Sequence, residues 1–312
     1  MRNLLSRAWI WSFIGALMMW IVAAALSRGQ GAGAMLTTAL ALCVFMVMAG
    51  LGQMFVITLG PGNIDLSLAA NIGLASAVAM TVMKGENSLV VLGMLAALAC
   101  GLAVGAANYL LIRALRIPPI IATLSASFII QSIDISYGRG LQIKPPAGFA
   151  DFTNLQTAGV PVLAVLTALL TFSAGIVLQR TIYGRSVLAV GQNARAARLA
   201  GISVERTRFL TYCLSGVLGG LTGALLAGYF GGASLDIGNE YLLASIAIVV
   251  LGGTSVSGGR AQVPGLWGAA LFLTLLLTVL DSFGFSAGFR LIFTGAAIVG
   301  VITITGGPKA SA

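Results

Sequence analysis

Hydrophobic residues in this chain fall into long uncharged blocks, not the alternation of strands or the stripes of surface helices. Runs without charge cover 8–27, 29–64, 66–83, 87–112, 117–133, 152–179, 209–235, 241–259, 261–280 and 291–308. A helix needs about 20 residues, at ~1.5 Å each, to cross ~30 Å of hydrocarbon. Each run is long enough, or nearly so, for one crossing. The pattern predicts helices near 9–26, 34–54, 66–83, 88–112, 118–133, 160–178, 209–229, 242–256, 264–280 and 291–305. The run 29–64 is broken at its far end by Gly60-Pro61-Gly62-Asn63, so one helix and an irregular segment fit it. The eighth helix is short and glycine pairs follow it. The expected fold is all-α and polytopic, with about 10 transmembrane helices in one membrane domain over 1–312.

Composition agrees. Of 312 residues 58% are hydrophobic and only 8% charged, and mean hydropathy is +1.02. A soluble domain carries about 25% charged residues, so a water-soluble enzyme is excluded. Histidine is absent, and the three cysteines, at 43, 100 and 213, lie in apolar segments without CxxC spacing. Disulfides and zinc sites are not expected. The first run follows Arg2 and Arg7 and is read as a span, since it is too long for a typical cleaved leader.

Charge orients the spans. With the N-terminus and C-terminus cytoplasmic, the inside set is Arg2, Arg7, Arg113, Arg116, Arg180, Arg185, Arg195, Arg198, Arg206, Arg208, Arg260 and Lys309. The outside set is Arg28, Lys84, Arg139, Lys144 and Arg290. Twelve against five follows the positive-inside rule. The net charge of +9 is thus topology. Nucleic acid is not an expected partner, because no basic patch is interleaved with aromatics. Glycines at four-residue spacing, Gly101/Gly105, Gly216/Gly220 and Gly219/Gly223, predict close helix packing within the chain.

The chemistry is sparse. The three lysines follow Met83, Ile143 and Pro308, so no Gly-Lys-Ser/Thr phosphate loop exists. Every charge is expected at a span end or in a loop, which disfavours ion coupling at the midplane. Asp65, before the third span, reads as a cap for its helix, with ion binding the alternative. Asp281 and Arg290 read as solvated ends of a short outer loop.

One inner loop gathers Arg180, Arg185, Arg195, Arg198, Arg206 and Arg208 with Glu205. Within it Asn193 is a good N-cap, Ala194 to Ala200 favour helix, and Gly201 suits the stop. A short helix over 193–202 follows, with an Ala/Leu side and an Arg side. It serves either as an anchor on lipid headgroups or as a docking helix for a soluble partner.

This loop resembles the Asn-Pro-Glu-Ala-Ala-Arg-Leu-Ala-Gly-Ile pattern of the permease subunits of ribose-type, monosaccharide ABC importers of bacteria. Ala194 replaces the proline and Arg195 the acid. Ile64-Asp65-Leu66-Ser67, Pro118 to Leu124 and Val250 to Ser255 with Gly258-Gly259-Arg260 resemble three further motifs of that family. Four in order cover roughly 45–307.

The resemblance implies a multi-pass permease of the bacterial inner membrane that carries a monosaccharide and performs no covalent chemistry. Rival substrates within the superfamily are a branched-chain amino acid, a nucleoside or a furanone-type signal; an ion-coupled carrier is the rival from another class. It implies a cytoplasmic ABC ATPase that uses ATP and Mg, with no cofactor or metal in this chain itself. It also implies a periplasmic or lipid-anchored sugar-binding protein, and a second permease subunit, identical or paralogous. The residues 193–202, namely Asn193, Arg195, Ala196, Ala197, Arg198, Leu199, Ala200, Gly201 and Ile202, then form the ATPase-coupling site. Gly258, Gly259 and Arg260 are a second cytoplasmic contact. Asp236, Asn239 and Glu240 face the binding protein or are a plain solvated loop. Asn71, Asn108, Thr123, Ser125 and Gln131 are candidates for the path, with interhelical hydrogen bonds the alternative for each.

Overall fold

A computed structural model describes residues 8–26, 31–138, 143–286, 288–290, 292–296 and 299. The described chain is helical apart from one hairpin. In order come α1 (Ala8–Leu26), α2 (Ala32–Thr58), α3 (Leu68–Met83), α4 (Val90–Leu115), α5 (Pro119–Gly138) and α6 (Ala147–Asn154). The strands β1 (Gln156–Thr157) and β2 (Val160–Pro161) follow, then α7 (Val162–Arg180), α8 (Ile182–Gln192) and α9 (Ala194–Leu199). Next are α10 (Val204–Phe230), α11 (Asn239–Leu251) and α12 (Val263–Ser282). Among the described residues six helices are long and apolar enough to cross a membrane, and Trp9–Ala25, Leu68–Met83 and Asn239–Leu251 are shorter apolar helices. The chain is therefore an all-α polytopic membrane protein.

The first nine expected spans each correspond to a helix, with shifted ends. The fifth runs on to Gly138, the seventh begins at Val204, and the eighth stops at Leu251, where Gly252 and Gly253 turn the chain. The tenth, near 291–305, lies mostly outside the described residues, as do Arg2, Arg7, Arg28, Arg139 and Lys309. Helix α6 and the two-residue antiparallel hairpin were not expected; both are too short and polar to mark a hydropathy pattern.

Helix α2 is the central post. From Cys43 to Thr58 every residue is buried, as a helix apolar on all sides requires. Helices α4 and α10 meet through the spaced glycines. A Cβ on Gly101 would lie 2.1 Å from the Gly216 carbonyl oxygen, and one on Gly105 2.2 Å from that of Tyr212. Small residues let these backbones touch where apolar burial drives nothing.

Two short helices start inside the bundle. Asp65 and Asn71 bond to Ser215 and the Gly216 carbonyl, near the middle of α10. So the segment 59–67 runs inward, and α3 begins at that depth. From the other side residues 231–238 descend until Gly238, just before α11, packs on the Ala69 carbonyl; a Cβ there would lie 2.0 Å away.

Two expectations about charge need correction. Asp65 is 2% exposed and Asp134 3% exposed. Neither is a solvated end: Asp134 lies within α5, which continues a full turn past it, and Asp65 is carried inward with its segment. Asp281 is exposed and Arg290 partly so, as expected of solvated ends, and the two also form an ion pair with each other.

Candidate coupling site

The site starts at the turn from α7 to α8. The Thr181 hydroxyl accepts the Gly184 N–H at 3.1 Å, capping α8. Gly184 is obligatory there, since a Cβ would stand 2.1 Å from the Val177 carbonyl oxygen. Helix α8 turns Gly184, Val187, Val190 and Gly191 inward. Burial pushes the Tyr183 phenol up to about 12, and its hydroxyl shares a hydrogen bond with Thr211 Oγ1 at 2.9 Å. Thr211 in turn donates to the Thr207 carbonyl.

Asn193 breaks the helix with an extended backbone, and its side chain accepts from the N–H groups of Arg195 and Ala196, both at 3.0 Å. Helix α9 is then stopped by Gly201 at φ +83, where the Ile202 N–H returns to the Ala197 carbonyl at 3.0 Å. That six-to-one bond closes a Schellman motif, which needs a residue free to be left-handed. The cap and stop expected at 193 and 201 are therefore both present.

The six residues of α9 face two ways. Ala197 is buried in a cluster with Val56, Leu59, Val187, Val190, Val204 and Tyr212, and Ile202 packs at its edge. Arg195, Ala196, Arg198, Leu199, Ala200 and Gly201 are exposed, Leu199 to 85%. Ala197 fixes the helix from within, while Leu199 is an exposed apolar knob next to Arg198. Arg198 also reaches Glu205 at 3.5 Å, and the Tyr109 hydroxyl donates to the other oxygen of that carboxylate at 2.6 Å.

The second motif meets the first. The Gly259 N–H donates to the Thr58 carbonyl at 2.9 Å, and Gln192 Nε2 donates to the Gly259 carbonyl at 3.4 Å. A Cβ on Gly191 would fall 1.9 Å from the Thr58 oxygen and 2.5 Å from the Gly259 nitrogen. One on Gly258 would fall 2.3 Å from the Cα of Gly60. The end of α2, the α8–α9 corner and the Gly258-Gly259 loop thus form one backbone seam, with Arg260 exposed beside it.

Beyond the seam the chain enters the polar centre. Asp65 Oδ1 accepts from the Ser67 N–H at 3.1 Å and the Ser67 hydroxyl at 2.7 Å; Oδ2 accepts from the Ser215 hydroxyl at 2.9 Å. Asn108 Nδ2 donates to Ser67 Oγ at 2.6 Å. The Thr123 hydroxyl accepts the Leu66 N–H at 3.1 Å. Asn71 Nδ2 donates to the Gly216 carbonyl at 2.8 Å. Asn71, Asn108 and Thr123 are therefore buried ties that hold α3, α4, α5 and α10 to the segment 63–71. Asp65 is not the cap expected from sequence: Ser67 holds the N-cap position of α3, and Asp65 accepts its N–H ahead of the helix and crosslinks to α10.

Ser125 and Gln131 are apart from this centre, exposed on α5. At the opposite end of the bundle Asn239 donates to Asp236 at 2.8 Å, so these two order the turn into α11, and Glu240 stands exposed next to them.

Comparison with known proteins decides the family. Residues 35–302 match the model of the branched-chain amino acid transport system / permease component family. The chain belongs to this family. The LsrC autoinducer 2 import system permease of Enterobacter sp. (strain 638) is 31% identical over 307 residues, covering 98% of this chain and 89% of that one. The ribose import permease RbsC of Bacillus subtilis (strain 168) is 34% identical over 252 residues, covering 80% and 77%. RbsC of Escherichia coli (strain K12) is 32% identical over 245 residues, covering 76% and 75%. No solved structure matches significantly. The chain is thus an ABC importer permease of the bacterial inner membrane, and its apolar helices fit that place.

Sequence reasoning missed Tyr109, Thr58, Gly191 and Ser215. Glu205 had been noticed only as the one acid of a basic loop, and that was the available signal. The others act through partners remote in sequence.

Proposed function

We propose that the chain carries a monosaccharide across the bacterial inner membrane, driven by a separate ABC ATPase that consumes ATP and Mg. The observation that carries this reading is α9: a capped, stopped helix, fixed inside by Ala197 and bare outside at Leu199. A lipid anchor needs arginines; an apolar knob with a defined stop is more than it requires. The seam through Gly191 and Gly259 supports transmission of force from α9 to α2 and on to Asp65. Arg195, which replaces the family's acid, would meet an acidic residue of the ATPase, and Arg260 would make a second contact.

In this reading ten spans put both termini in the cytoplasm, with the basic loop beside the ATPase. A second permease copy or paralogue completes the path. Ser125 and Gln131, exposed on α5, are assigned to that path; they suit a neutral polyhydroxyl solute, which needs modest hydrogen bonds and quick release. Asp236, Asn239 and Glu240 would receive the periplasmic binding protein. Catalysis belongs wholly to the ATPase.

A second reading, import of an autoinducer 2-like signal, rests on the name of the LsrC relative. The test is titration of ribose, other monosaccharides and autoinducer 2 against the cognate periplasmic binding protein, followed by uptake in cells with and without the permease. Sugar binding with permease-dependent uptake supports the first reading; neither with any sugar overturns it.

A further inference from the structure

A trough of about 990 Å³ runs along the outside of the bundle between α1 and α7. Phe13 forms one wall, Ala168 and Phe172 the other, and Trp267 and Leu271 of α12 the floor. The two polar groups midway are spent on each other, since Trp267 Nε1–H donates to Thr171 Oγ1 at 3.0 Å. The trough is otherwise apolar until the last turn of α7. There Gln179, Arg180 and Gln262 line its end. Arg180 is exposed, and among the described residues no carboxylate pairs with it.

An apolar channel with one cationic, amide-flanked mouth at a membrane surface has the form of an amphiphile with an anionic head. We propose that this trough binds a phospholipid with an anionic headgroup, its phosphate on Arg180 and the two glutamines and an acyl chain along Phe172 and Trp267. Charge complementarity selects the head, because a guanidinium forks onto a phosphate and basic recesses between membrane helices retain anionic lipid. A protein helix fits less well. Apolar contact alone does not hold helices together in lipid, and close approach needs small residues where this trough presents Phe13, Phe172 and Trp267. The proposal requires only that α7 and α12 span the membrane, so it stands apart from the transport reading.

The full chain is extracted in mild detergent, and retained phosphatidylglycerol, cardiolipin and phosphatidylethanolamine are quantified by native mass spectrometry and lipid extraction. Anionic phospholipid is expected near one molecule per chain, above its share of the membrane. Arg180→Gln, an exposed change that leaves the unfolding midpoint unaltered, is expected to lower it several-fold. Arg185→Gln, outside the trough, is the control and should not. Ala168→Trp should empty the trough of any lipid. Equal loss in the two arginine variants, retention unchanged in Arg180→Gln, or a copurified polypeptide in place of lipid would each overturn the proposal.

Discussion

The Tyr109 hydroxyl donates to the Glu205 carboxylate across 2.6 Å, joining the end of α4 to the first turn of α10. Arg198 of α9 shares that carboxylate. Tyr109→Phe removes the donor and leaves the ring packing intact. A hydrogen bond to a charged acceptor contributes about 1.5–3 kcal/mol, so a loss near the lower end is expected at this half-exposed carboxylate. Thermal unfolding in detergent checks the stability. Uptake should fall as well, because α9 loses a fixed neighbour.

Gly191→Ala should be among the most damaging single methyl additions in the chain. The new carbon has no flexible side chain to displace, only the Thr58 oxygen and the Gly259 nitrogen. Overpacking costs about 1–3 kcal/mol, and backbone neighbours place this case at the top of that range. Gly175→Ala in α7 is the matched control. Nothing lies within 4 Å of its Cβ, and a helix interior gains about 0.5–1 kcal/mol from the change. Unfolding midpoints that fail to move in opposite directions would refute the seam.

Leu199 and Ala197 should separate docking from folding. Leu199→Ser, at an exposed position, is expected within about 0.5 kcal/mol of the parent in stability. It should nonetheless reduce copurification of the ATPase and uptake together. Ala197→Leu is expected to lower the unfolding midpoint, since Ala197 is buried in its cluster and a larger side chain must displace neighbours. Normal ATPase recovery with Leu199→Ser would rule out the coupling role.

Asn193→Ala should loosen α9 without touching its outer face. Loss of an N-cap costs about 1 kcal/mol. Asn193→Ser keeps an acceptor for the Arg195 and Ala196 N–H groups and should restore most of both stability and uptake.

Asp65→Asn tests the polar centre. The carboxylate accepts from Ser67, Asn108 and Ser215, and an amide turns one acceptor into a donor aimed at donors. A buried polar group left unpaired costs about 1–3 kcal/mol. Asp65→Asn should lower the unfolding midpoint, whereas Asp236→Asn, in the exposed turn, should leave it nearly unchanged.

The apolar helices were legible in the sequence because lipid tolerates few alternatives to an uncharged helix. Helix α9 was legible because Asn193 and Gly201 act on neighbours within a few residues. The rule that charge sits at span ends failed at Asp134, which is buried within α5. Asp65 was read as a local cap, and its ties to Asn108 and Ser215 left no trace because those partners are remote in sequence. The meeting of Gly191 with Gly259 left no pattern at all, since glycines 68 positions apart say nothing of each other. The sequence could not say which of the polar residues inside spans are buried; Asn71, Asn108 and Thr123 are, and Ser125 and Gln131 stand exposed.

The junction of Gly191, Gly259 and Thr58 is built from main-chain atoms, so what the genome must preserve there is an absence of volume. No neighbouring substitution can compensate for a methyl group added at such a point, as none of the contacting atoms belongs to a replaceable side chain. The joint behaves as a bearing without clearance. Under the proposed function, solute preference could drift through α5 and the outer loops while this contact stays fixed, which would let one drive mechanism serve permeases for different cargoes.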